Sequence, residues 1–204
     1  MSVIISLKNK DKMILASNNS YSSDDIKYPI TFNKEYKIQK FKNFVIAYTG
    51  SYKDFVRLVD TFDFDLFPTP LTKSFLLREF YPLFLSFLVD NKIVELKDGL
   101  IEKTPFAIMI FDGKKLFDIC SEGVYDVKYC NATGDEMAVF TTYDIYKNKL
   151  EPLELLEKMF KETDRYYPKS SYPFIYCENL DEVTIIEKDG SKRKEKLIEH
   201  WRKE

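Results

Sequence analysis

The sequence predicts an α+β fold, a four-layer αββα sandwich in which two antiparallel sheets pack face to face between pairs of helices. Three observations carry this reading. Short apolar and β-branched runs come in hairpin-like pairs with turn residues between them. Helical periodicity appears in two blocks, each set between groups of strands. The order is four strands, two helices, three or more strands, two helices and two strands. Such runs argue against a doubly wound parallel sheet, whereas stacked sheets with helices outside would bury every apolar run.

The first element is a hairpin, with Val3–Leu7 and Met13–Ala16 as strands and the charged turn Lys8–Lys12 between them. Asn18–Asn33 is polar and Ser/Asp-rich and reads as a surface loop with Pro29 inside it. Glu35–Phe41 and Phe44–Tyr48 read as strands joined at Lys42-Asn43, and Gly50 breaks the sheet. Lys53–Phe62 carries Phe55, Val56, Val59 and Phe62 at helical spacing. Phe64–Pro70 is a linker, and Leu71–Leu96 is a long helix-like stretch with Pro82 inside it. Its core, Phe80–Val89, is almost wholly apolar. It is too short to span a bilayer, so a helix covered on several sides is expected. Phe106–Phe111, Lys115–Cys120 and Val124–Cys130 read as strands, and the turn Ala132–Glu136 opens a helix to about Asn148. A further helix begins at Pro152, a favoured first-turn residue, with Leu155, Leu156, Met159 and Phe160 on one face. Val183–Glu187 and Lys192–Leu197 close the chain as a hairpin about Asp189-Gly190.

Composition narrows the function. The chain has 204 residues, which fits a single domain over 1–204. Its 31 Lys and Arg face 33 Asp and Glu, so no polycationic surface for nucleic acid is expected. Cys120, Cys130 and Cys177 form no metal-type spacing and leave an odd count, which suits a reduced, cytoplasmic protein. With one His, at position 200, neither a zinc site nor a Ser-His-Asp triad is expected, and no cofactor is indicated. An enzyme built from this chain would use an amine or a carboxylate as base.

The N-terminus offers such an amine. No apolar stretch of leader length follows the start, and Ser2 is small enough for Met1 to be trimmed. A free α-amine and a hydroxyl would then share one residue, giving a nucleophile that carries its own base.

The segments SVIISLKNKDKMILASN, YKIQKFKNFVIAYTGSYKDFVRLVD and FDGKKLFDICSEGVYDVKYCNATGDEMAVF resemble those of the proteasome-like N-terminal-nucleophile hydrolases, in particular proteasome β-type subunits. The likeness runs through nearly the whole chain and implies the same αββα sandwich. It also implies site residues. A gapless register from Ser2 to Ala16 places the family's nucleophilic Thr on Ser2, and the same register places its catalytic lysine on Lys34. The carboxylate beside that lysine falls on Asn18, which cannot be charged. The serine of the family's Gly-Ser-Gly turn falls on Asp135, and its late aspartate on Asp164. The glycine whose N–H helps form the oxyanion hole falls on Tyr48, with Ser20 and Thr49 completing the cleft.

Each residue also has a plain structural account. Ser2 would be the second residue of an edge strand and Lys34 an exposed lysine. Asp135 and Glu136 would suit the first turn of a helix capped by Thr133. Asp164 would pair with Arg165. Two functions are therefore expected. One is an amidohydrolase, a peptidase or transpeptidase acting on peptide or amide substrates through Ser2. The other is a catalytically inactive member of the fold that acts as a binding or assembly module. The resemblance further implies a homo-oligomer, with a ring as one form, and no membrane attachment is expected.

Overall fold

The computed structural model of the chain describes residues 3–9, 12–23, 26–29, 36–98, 100, 101, 104, 106–134, 136–167 and 172–199. Two antiparallel sheets form its middle. The first orders its strands β12 (Cys130–Gly134), β1 (Val3–Asn9), β2 (Lys12–Asn18), β13 (Phe174–Cys177), β14 (Glu182–Ile186) and β15 (Lys192–Lys196). The second orders β11 (Gly123–Asp126), β10 (Leu116–Cys120), β9 (Ile108–Phe111), β6 (Phe44–Tyr48) and β5 (Ile38–Phe41).

Strand alternation assigns the layers. Ile4, Met13 and Leu15 of the first sheet meet Val45, Ala47, Met109 and Leu116 of the second in a core between the sheets. The opposite face of the first sheet, with Val3, Ile5, Ile14 and Ala16, packs on α4 (Glu136–Tyr146) and α5 (Pro152–Tyr166). The outer face of the second, with Phe44, Ile46 and Tyr48, packs on α1 (Tyr52–Thr61) and α3 (Tyr81–Asp90). These are the four layers αββα expected from the sequence.

Aromatic side chains fill much of the helix-side cores. Tyr48 stacks on Phe55 at 4.0 Å and Phe160 on Phe174 at 4.1 Å. Each buried Phe of this kind contributes roughly 1.5–3 kcal/mol by leaving water.

Four local expectations are corrected, and a strand beyond those expected appears in the first sheet. Within Asn18–Asn33, β3 (Ser20–Ser23) pairs with β4 (Ile26–Pro29) as a small hairpin of its own. Pro29, of a residue type depleted in strands, disguises it. The stretch Leu71–Leu96 is not one helix. A single turn, α2 (Lys73–Phe75), leads into a π-turn over Leu76–Phe80, and α3 then ends at Asp90. Tyr81 N–H bonds Leu76 O, five residues back. That wider turn brings the chain to Pro82, placed at the start of α3 where its missing N–H costs nothing. Nor is α3 covered all round: Phe84, Phe87 and Leu88 are buried, while Leu83 is exposed. The expected strand Val124–Cys130 divides. β11 ends at Asp126, the chain crosses between sheets, and β12 pairs with β1 from Leu7↔Cys130 to Val3↔Gly134. Finally, Phe174–Cys177 is a strand at the centre of the first sheet, between β2 and β14. Its run Phe-Ile-Tyr-Cys, bounded by Pro173 and Asn179, is a strand signal in the sequence. A last short pair, β7 (Leu96–Lys97) and β8 (Leu100–Ile101), stands apart from both sheets.

Candidate active site

The site lies where β1 begins and β2 ends. The antiparallel register puts Ile4 opposite Ser17, so the first described residue, Val3, lies beside Asn18. Asn18 is fully buried, and its Oδ1 accepts the backbone N–H of Val3 at 2.9 Å. Ser17 ties the same corner, its hydroxyl lying 3.1 Å from Val3 O and 2.9 Å from Asn18 O.

A lysine enters this corner, and it is Lys37. Its side chain is buried, and Nζ donates to Asn18 Oδ1 at 3.5 Å. Its backbone N–H donates to Asn19 Oδ1 at 3.0 Å, while Asn19 N–H donates to Pro173 O at 2.7 Å. Consecutive asparagines thus hold Lys37 at both its backbone and its ammonium end. One oxygen, Asn18 Oδ1, gathers the ammonium and the amide that follows residue 2. Sequence reasoning missed Lys37. The available signal was its place in the sequence between Tyr36 and Ile38, in the segment that opens β5.

The sheet register adds a backbone donor. Thr49 N–H is committed to Ala107 O at 2.9 Å, and Thr49 Oγ1 accepts Ala107 N–H at 3.1 Å. Antiparallel alternation then turns the N–H of Tyr48 away from β9, to the β5 side. Ile38 pairs with Ala47, and one further step of that register sets Lys37 across from Tyr48. The Tyr48 ring itself packs among the helix-side core on Phe55 rather than between the sheets.

Of the other expected residues, Ser2, Lys34 and Asp135 lie outside the described residues. Ser20 opens β3, its backbone paired with Pro29. Asp164, near the end of α5, forms an ion pair with Lys188 at 3.9 Å, and Arg165 pairs instead with Glu162. Near Asp164, the Tyr172 phenol is held above its usual range by burial, then by the charges of Asp164 and Glu157. Thr133 does not cap α4; it is a β12 residue whose hydroxyl bonds Asp118 across the sandwich. Among the described residues, no group of three or more His, Cys, Asp or Glu could hold a metal ion. No helix among them is long and apolar enough to cross a membrane.

No protein-family profile and no curated protein matches the chain. Solved structures do. The Thiobacillus denitrificans protein BPH superposes with a TM-score of 0.69 at 16% identity, covering 88% of this chain and 98% of its own. The same protein has been solved in complex with epoxomicin. The Anbu complex of Pseudomonas aeruginosa, solved as a helical assembly, gives 0.65 at 13% identity over 92% of this chain and 87% of its own. Eukaryotic HslV from Trypanosoma brucei gives 0.56 at 13% identity over 86% and 97%. The chain has the fold of the proteasome-like N-terminal-nucleophile hydrolases, as a divergent example of it.

Proposed function

We propose that the chain is an N-terminal-nucleophile amidohydrolase, a peptidase or transpeptidase in which Ser2 is the nucleophile and Lys37, rather than Lys34, is the cation beside it. The observation that carries this reading is the convergence of Lys37 Nζ and the Val3 amide on Asn18 Oδ1, one peptide bond from Ser2. Once Met1 is removed, Ser2 Oγ attacks the substrate carbonyl and the α-amine of the same residue takes the proton. The Lys37 ammonium keeps that amine in its unprotonated form, because a second positive charge nearby is unfavourable. The oxyanion of the tetrahedral intermediate is met by backbone N–H donors. Collapse expels the amine and leaves an ester on Ser2. Water, or a second amine in transpeptidation, then releases it. No cofactor enters, and the reading takes 1–204 as one cytoplasmic domain.

The second reading, an inactive binding or assembly module, is favoured by Asn18, a neutral residue where the resemblance puts a carboxylate. The helical assembly of Anbu and the exposed Leu83 on α3 support self-association under either reading. Turnover of peptide amides by purified variants separates the readings. Ser2→Ala and Lys37→Ala are expected to lose at least about 100-fold in rate, and Lys34→Ala less than about threefold. The reverse order of the two lysines would return the role to Lys34. Activity retained by Ser2→Ala would remove the nucleophile, and inactivity of the Met1-processed wild type would favour the module.

A further inference from the structure

A polar cavity lies on the other side of β1 from Asn18, where β10 and β11 of one sheet face β12 and the start of α4, and its wall residue Gly134 pairs with Val3. Its volume is about 420 Å³, within the range that small ligands occupy. Its described lining includes three carboxylates, Asp118, Glu122 and Glu136, and no Lys, Arg or His. Asp118 is only 4% exposed. One of its oxygens, Oδ2, accepts the Asn131 amide and the Thr133 hydroxyl, the latter at 3.3 Å. The other, Oδ1, is buried and has no hydrogen-bond partner among the described residues by distance and angle. Buried carboxylate oxygens are rarely left so, because losing water without a replacement donor costs several kcal/mol.

We propose that this cavity binds a guanidinium or primary ammonium group, with Asp118 as the principal anion and Glu122 and Glu136 adding negative charge in its walls. The described lining holds no metal-ligating cluster, and its carboxylates match an organic cation. The site does not depend on the Ser2 reaction, so binding, not turnover, tests it.

Its electrostatics give the test a signature. Burial pushes the Asp118 carboxyl up to about 6; Thr133, Asn131 and the Ile119 backbone pull it back, and the Glu136 charge pushes it further up. Of the other ionisable groups in the walls, Cys120 has its thiol raised by burial, and Tyr125 and Glu122 complete the set. A cation favours the ionised carboxylate, so affinity falls as pH drops below about 6.

Agmatine as the cationic probe and butanol as a neutral one, titrated into the full chain by calorimetry, decide the matter. Agmatine is expected to bind at neutral pH and butanol not to. Agmatine affinity should fall about tenfold between pH of about 7.5 and about 5, the loss of ionised Asp118. Asp118→Asn should abolish both the binding and its pH dependence. Glu136→Gln keeps the hydrogen bonds of Asp118 and should weaken agmatine about threefold, which preserves the test if the first variant fails to fold. Absence of agmatine binding at millimolar concentration, equal binding of butanol, or a flat pH profile would overturn the proposal.

Discussion

Replacing Asn18 by alanine removes a single oxygen that two distant parts of the chain share. The Val3 N–H, bonded to it at 2.9 Å in a fully buried setting, would lose its acceptor. An orphaned buried donor costs about 1–3 kcal/mol. The Lys37 ammonium, 3.5 Å away, would lose a weaker contact, about 0.5–1 kcal/mol more. The sum is about 1.5–4 kcal/mol, which for a chain of this length is a fall in Tm of roughly 3–16 °C. Urea unfolding, followed by tryptophan fluorescence and far-UV circular dichroism, measures it. Asn18→Asp is the control. A carboxylate keeps an acceptor for both donors and places a negative charge beside the ammonium, so its loss should stay under about 1 kcal/mol at neutral pH. The reasoning fails if alanine costs less than about 0.5 kcal/mol, or if aspartate is as damaging as alanine.

Three further outcomes are expected. Asp118 has a folded pKa of about 6 against 3.8 in the reference state, so its contribution to stability is full below pH of about 4 and lost as pH rises through 6. The stability difference between wild type and Asp118→Asn should therefore shift toward the variant by roughly 2–3 kcal/mol across that window; urea midpoints that keep a constant difference would contradict it. Gly50 has φ of 88°, and a Cβ there would meet Phe106 at 2.9 Å. Gly50→Ala should cost about 2–4 kcal/mol by the same measurement and disturb the Thr49–Ala107 pairing. Phe160→Ala, which empties the stack on Phe174, should cost about 3–5 kcal/mol, while substitution of the exposed Leu83 by Ala should change monomer stability by less than about 0.5 kcal/mol.

The layers were legible in the sequence because they rest on periodicities that local chemistry sets. Val3–Asn9 with Lys12–Asn18, and Glu182–Ile186 with the charged edge strand Lys192–Lys196, are hairpins with charged or Gly-containing turns. The places of the elements that escaped are decided by distant partners. Phe174–Cys177 takes the centre of the first sheet because β2 and β14 flank it, and Cys130–Gly134 belongs to the first sheet because β1 recruits it. The site was legible in part for the same reason. Asn18 follows from a strand register, which sequence carries. Lys37, which meets Asn18, lies three residues beyond the position a gapless count gives, and Lys34 at that position is outside the described residues. The burial of Lys37 between Tyr36 and Ile38 is a tertiary fact, as is the orphaned oxygen of Asp118.

The central claim is that Ser2, with a free amine and supported by Lys37, is a nucleophile. Intact mass spectrometry of the purified chain before and after incubation with a serine-directed electrophile tests it most directly. The account predicts a chain lacking Met1 that gains one equivalent of the reagent, mapped to Ser2 by peptide sequencing and lost in Lys37→Ala. A chain that keeps Met1, or one that lacks it and gains no adduct, would contradict the account.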